Sequence, residues 1–352
     1  MRQMRLCGLI AATGVLAACS QSNNVAANAT DDGGQPGTGQ PDSGSGGLSA
    51  ISDDSGAGES PGQDAGQTQD SGSGGTLPDG GAAPAPAQAV GYTTQTFNST
   101  TLGTTPGTWQ NYTFFGVSQP ANDAVQNADG SLSLPGYEGD NWGATIATVA
   151  ANASKPQQWQ GVAFGGGGYF EATLSFVGIP DGTDTGGVGF WACDVEHSSG
   201  YAPIVSGSSW IEIDDLETDV ASDNQWGNAL HNWYNAGGGN TGVNPPAIVN
   251  PVSIPDGGTF AGSHTYAFLW VPATATTQGY LKFFCDGVQI NGTVYWDLYN
   301  ASQPFPPAGA DIGNVIDTLH LYLILGENSP SYPGIVTSVQ VWQGSGENNL
   351  TF

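Results

Sequence analysis

Five of the eight residues from 212 to 219 are carboxylic acids: Glu212, Asp214, Asp215, Glu217 and Asp219. Elsewhere charge is sparse, with only 10% of the chain charged. The surrounding segment reads Trp210-Ile211-Glu212-Ile213-Asp214-Asp215-Leu216-Glu217. Its Trp and Ile residues predict a strand rather than a solvated loop. Side chains alternate along a strand, so Trp210, Glu212 and Asp214 share one face, while Ile211 and Ile213 point inward. Strict alternation would then bury Asp215 and expose Leu216. One extra residue, a β-bulge near Asp215, is expected to repair both errors and to bring Glu217 to the face of Glu212 and Asp214.

A row of three carboxylates repels itself, so at least one should hold its proton to a higher pH. Glycoside hydrolysis needs that division into one ionised carboxylate and one protonated acid. A retaining glycosidase keeps the pair about 5–5.5 Å apart. Four effective strand steps separate Glu212 from Glu217 by about 13 Å along the backbone, so the side chains must lean together over a concave sheet. The residues alone also fit a calcium site, because clustered carboxylates bind hard cations, or a plain acidic strand.

The elements that must carry this row are strands. From about residue 90, aromatic residues alternate with Gly, Asn, Pro and Asp punctuation. Strands are expected at 168–176, 187–192, 209–216, 228–234, 264–271, 280–285, 319–325 and 335–342. No long apolar stripe of helical period interrupts them. The predicted fold is an all-β, concanavalin-like jelly-roll sandwich over residues 90–352, with a concave substrate cleft.

Ahead of it, residues 19–89 are rich in Gly, Ser, Asp and Pro, with no basic or aromatic residue before Tyr92 once Arg5 is passed. Such a stretch cannot bury enough apolar surface to order itself, and a disordered linker is expected, extended at its Ala83–Pro86 end. Residues 1–18 look like a signal peptide: Arg2 and Arg5, an apolar run from Leu6 to Leu16, then Leu16-Ala17-Ala18-Cys19. The last four resemble a bacterial lipobox, with Cys19 as the lipidated residue and membrane anchor. An ordinary secretory signal is the alternative. Ser20 after the cysteine favours the outer membrane or cell surface.

Composition excludes several partners. The chain carries 4 Lys+Arg against 31 Asp+Glu, a net charge of −27. Without a basic face it is not expected to bind nucleic acid. Cys193 and Cys285 could form a disulfide after export or remain two buried thiols. Gly165–Gly168 is no phosphate loop, since no lysine follows. With almost no cations to pair with, the carboxylates should make the fold more stable below pH 7 than above it.

Glu-Ile-Asp-Asp-Leu-Glu (212–217) resembles the E-x-D-x-x-E signature of glycoside hydrolase family 16. Similar blocks stand in the family's order at Gly168–Ala172, Gly189–Trp191, Ala229–His231, His264–Trp270, Phe283–Val288 and Val339–Gln343. The resemblance spans about residues 93–343. It implies a retaining hydrolase acting within a neutral β-linked polysaccharide, a β-glucan or galactan. Glu212 would be the nucleophile, Asp214 its orienting partner, and Glu217 the general acid and then base. Trp210 would stack on a sugar ring. His231, Trp191 and Trp233 are further substrate-binding candidates, although His231 could be structural and Trp191 could belong to the core. Thr337 or Ser338 stands where many members carry a calcium-linked Asp. No cofactor is therefore expected to be required, and the case for structural calcium is weakened. A monomer is expected. A transglycosylase and a non-catalytic carbohydrate-binding lipoprotein are the alternatives.

Overall fold

The computed structural model describes residues 81–111, 123–136, 143–152, 154, 159–178, 189–196, 209–218, 225–234, 251–298, 316–326 and 332–352. Arg2, Arg5, the expected lipidation site Cys19, the expected linker up to residue 80, Lys155 and Asp219 lie outside the described residues. A single helical turn, α1 (Ala85–Gln88), precedes the strands. The first are β1 (Thr94–Asn98), β2 (Gln110–Asn111), β3 (Val125–Gln126), β4 (Leu132–Leu134), β5 (Thr145–Ala147) and β6 (Val149–Ala151). Then come β7 (Trp159–Ala163), β8 (Gly168–Phe176), β9 (Gly189–Asp194), β10 (Ser209–Glu217), β11 (Gln225–Tyr234) and β12 (Val252–Ser253). The last are β13 (His264–Val271), β14 (Gly279–Cys285), β15 (Val288–Trp296), β16 (Leu321–Gly326), β17 (Gly334–Gln343) and β18 (Leu350–Thr351).

These strands make an antiparallel jelly-roll sandwich. One sheet runs β15-β14-β13-β8-β17-β4-β3, with β1 also paired to β17. The facing sheet runs β12-β11-β10-β9-β16-β5-β2. Alternate residues of each sheet turn inward and fuse into the main core, among them Phe170, Leu174, Phe268 and Trp270 from the first sheet. Phe190, Ile211, Ile213, Leu216 and Leu323 come from the second. Phe268 stacks on Phe170 at 4.6 Å within its sheet and meets Phe190 of the other sheet at 6.1 Å. The outer face of the second sheet carries a separate apolar cluster. There Trp191, Cys193, Tyr322 and Ile324 pack with Trp159 and Val149 of the small sheet β18-β7-β6.

Three expectations need correction. Residues 83–89 are not an extended tether. Ala83 and Ala87 are buried with Tyr92, Tyr169 and Trp342 against the outer face of the first sheet. Pro86 suits the first turn of α1, where a missing N–H costs nothing. Strand β15 was not anticipated, because Asn291-Gly292 has turn chemistry. Here Asn291 has φ 57°, and the pairing with β14 slips between Leu281 and Phe283, so the pair forms a bulge inside a strand. Asp215 is not expelled by the bulge in β10: it is fully buried. Cys193 and Cys285 are both buried thiols outside any disulfide, which closes the disulfide alternative.

Glu171 lies on β8 between Ala267 and Gln340 of the neighbouring strands. Burial pushes its carboxyl up from 4.5 to about 7. Burial also raises Asp317, despite hydrogen bonds from the Trp270 and Trp296 indoles and the Ala273 N–H. A carboxyl raised in the folded state lends stability that is complete below its unfolded value and is lost as pH rises through the folded one. For Glu171 that window runs from 4.5 to about 7. The thermal midpoint should therefore fall between about pH 5 and pH 8, and Glu171→Gln should flatten the decline over its acidic half. A midpoint that climbs over this range in calorimetry would contradict the assignment.

Candidate active site

Strand β10 commits an apolar face inward: Ile211, Ile213 and Leu216 are all fully buried in the main core. Each such side chain contributes about 1.5–3 kcal/mol by leaving water. Ile213 and Leu216 are three apart, an odd spacing that a regular strand cannot place on one face. The structure resolves this with a bulge. Pairing with β11 jumps from Asp214↔Ala229 to Glu217↔Gly227, and pairing with β9 jumps from Asp214↔Trp191 to Glu217↔Gly189. Three steps of β10 thus match two steps of each neighbour. Glu212 and Glu217 span the same length as His231 and Gly227, which restores an even count and puts Glu212, Asp214 and Glu217 on the outer face.

Side-chain rows cross this face at right angles to the strands. Glu212 lies between His231 on β11 and Cys193 on β9. Asp214 lies between Ala229 and Trp191. Glu217 lies between Gly227 and Gly189, and Gly189 is followed in its row by Gly326 of β16. The paired glycines contribute no side chains of their own beside Glu217. The Trp191 ring fills the space above Gly189, where an added Cβ would come within 2.8 Å of it. Glu217 is half-buried, whereas Glu212 and Asp214 are buried.

Polar partners hold the two buried acids. The His231 Nε2–H donates to Asp214 Oδ2 at 3.1 Å. Burial on its own would lower the His231 pKa, but the Asp214 hydrogen bond and the charges of Asp214 and Glu212 outweigh it and raise the value above 6.5. The Cys193 thiol lies 3.8 Å from Glu212 Oε1 and donates to it. Behind the row, the Asp215 backbone carbonyl accepts hydrogen bonds from Trp226 Nε1 at 3.0 Å and from Asn228 Nδ2. Burial, then the charge of Asp214, pushes the Asp215 carboxyl well above the usual carboxylate range. Burial thus disfavours the charged form of Asp215, which stands in the core apart from the row that Glu212, Asp214 and Glu217 make.

The sequence-predicted residues divide as follows. Glu212, Asp214, Glu217 and His231 come together on one face. Trp191 joins them but is 4% exposed and packed in the outer cluster, as the core alternative required. Trp210 and Trp233 are cross-strand partners in the backbone register, and their side chains lie outside the described residues. Thr337 and Ser338 lie on β17 of the opposite sheet. Cys193 and the glycines 189, 227 and 326 were missed as site residues. Cys193 was within reach, since it lies two residues from Trp191 on a strand and so shares its face. The glycines carry no signal until the register is known.

No model of a known protein family matches this sequence, and no curated protein matches it. Solved structures with a similar chain course include an endo-1,3-β-glucanase from Streptomyces sioyaensis, with a TM-score of 0.45 and 19% identity over 74% of this chain and 97% of that one. A GlcNAcα1-4Gal-releasing endo-β-galactosidase from Clostridium perfringens gives 0.47 and 16% over 78% of this chain and 65% of its own. The basic winged bean lectin gives 0.34 and 11% over 72% of this chain and 98% of its own.

By NMR, the His231 ring should titrate above 6.5. Asp214→Asn removes the acceptor charge and should bring the value down, toward the burial-lowered limit. An unchanged titration would show that Asp214 does not set it.

Proposed function

We propose that this protein is a retaining glycoside hydrolase that cleaves internal linkages of a neutral β-linked polysaccharide. The observation that carries this is the bulged row itself: two glutamates an even number of effective steps apart on one face, with an aspartate between them. Glu212 is the nucleophile. It is buried, and the Cys193 thiol hydrogen-bonds one of its oxygens. Attack on the anomeric carbon forms the glycosyl–Glu212 ester and breaks the glycosidic bond, while Glu217 gives its proton to the leaving oxygen. Glu217, now ionised, takes a proton from water, which displaces Glu212 with a second inversion.

Asp214 holds a hydrogen-bonded position between the two acids, and His231 offsets its negative charge as the ester forms and breaks. A binding protein has no need of three acids that repel one another on a buried face. The near absence of basic residues further supports a neutral glycan over a sulfated or uronic one. The proposal includes export and tethering to a membrane through a lipid on Cys19, with residues beyond it as the spacer.

Reducing-end release should be screened on laminarin, mixed-linkage β-glucan, agarose and carrageenan. At least one neutral substrate should be cut, and Glu217→Gln should lower the rate by about 10²–10⁴-fold. Glu212→Gln should abolish turnover while binding persists, and Cys19→Ser should move the activity from the membrane to the soluble fraction. Binding without cleavage across the whole panel would instead make the protein a lectin-like adhesin.

A further inference from the structure

The corner of the sandwich behind the acidic row holds a second group of chemically capable side chains. His264 opens β13, Cys285 closes β14, and Asp286 begins the Asp286-Gly287 turn into β15. One donor atom from each of the three lies within 4.8 Å of the others. We infer that His264, Cys285 and Asp286 form a binding site for a single zinc-class divalent cation. The donor set of imidazole nitrogen, thiolate sulfur and carboxylate oxygen is one that zinc takes.

The hydrogen bonds around the three residues orient them for this. His264 Nε2–H donates to the Thr259 carbonyl at 2.9 Å, which fixes the proton there and leaves the lone pair on Nδ1. A backbone carbonyl bound to the remote ring nitrogen is the usual support of a metal-ligating histidine. Asp286 is held in the same way, its Oδ1 accepting the Thr265 N–H at 2.8 Å. Its Oδ2 then faces His264 Nδ1 at 2.7 Å. A lone pair and a carboxylate at that distance need a positive charge between them. A second ring proton would supply one, as a simple ion pair. A cation in place of that proton would draw also on the Cys285 sulfur, which lies within 4.8 Å of the other two donor atoms.

Two further observations favour the cation. Both Asp215 oxygens and the Tyr266 hydroxyl are buried with no hydrogen-bond partner among the described residues. They belong to the same corner: Tyr266 pairs with Cys285 in register, and its ring packs edge-on to Trp226, which is bonded to Asp215. The corner thus concentrates two acids and a thiol. Lys282 is the one lysine or arginine among the described residues, and it lies instead over the Tyr280 ring. Binding releases the thiol proton to solvent and leaves the fourth coordination position for water. The site would pin the β13 and β14–β15 ends against the back of β10, whether or not the acidic row cleaves a glycan.

The probe is Co²⁺ added to the full-length, chelator-stripped, reduced protein, read by near-ultraviolet absorption and by equilibrium dialysis with Zn²⁺. One equivalent should bind, with a thiolate-to-cobalt charge-transfer band that surface carboxylates cannot produce. At a hundredfold excess over Kd, Zn²⁺ should raise the thermal midpoint by about 5–10 °C. Cys285→Ser should abolish the band, and the exposed variant Asp286→Asn, which leaves the core intact, should weaken binding about 10–100-fold. Absence of the band from the wild-type protein would overturn the site. So would a band that survives Cys285→Ser, or uptake that Asp286→Asn leaves unchanged.

Discussion

The bulge at Asp215 is the constraint on which the rest depends. Strand β10 must send Ile213 and Leu216 inward and Glu212, Asp214 and Glu217 outward, and no regular strand satisfies both demands. The extra residue costs a break in two ladders at once. It is held by the Asp215 carbonyl, which takes hydrogen bonds from Trp226 Nε1 and Asn228 Nδ2. Asn228 is tied in turn to Asn291 across the sandwich, at 3.1 Å. The indole and the amide thus convert a local irregularity into a fixed geometry. Leaving a neutral carboxyl unpartnered in the core costs about 1–3 kcal/mol. Burial of the three inward apolar side chains, at about 1.5–3 kcal/mol each, exceeds that cost.

Much of this was legible in the residues. The alternation of Ile211, Ile213 and Leu216 demanded the bulge before any register was known, and His264–Val271 and Gly168–Phe176 form strands with the bounds that their composition suggests. What failed did so for physical reasons. Asp215 was expected to escape the core, but two residues of a bulge oppose one on the partner, and here both Asp215 and Leu216 turn inward. The Ala-Pro-Ala-Pro stretch resembles linker by composition. Its alanines are small enough to lie flat on Tyr169 and Trp342, a property that only the partner surface reveals. The glycine row around Glu217 is a product of register among three strands distant in sequence.

The two faces of β10 divide the chemistry. Outside, charge is concentrated and partly neutralised by His231, with the thiol of Cys193 against Glu212. Inside, burial and then the charge of Asp214 push the Asp215 carboxyl well above the usual carboxylate range. Two adjacent acids on one strand are therefore placed in opposite surroundings, one on the outer row and one in the core, by the direction in which the bulge turns them. The same inward turn brings Asp215 to the corner where His264, Cys285 and Asp286 gather. A cation there would bind the framework that fixes the bulge, and so link the packing of the sandwich to the placement of Glu217.

The central claim is that the bulge places Glu212 and Glu217 as a retaining pair. The most direct measurement is the anomeric configuration of the product first released from a β-linked oligosaccharide, followed by proton NMR before mutarotation. A pair about 5–5.5 Å apart requires the β-anomer first. Initial release of the α-anomer would mean single displacement by water between more widely spaced acids, and would contradict the roles assigned to Glu212 and Glu217.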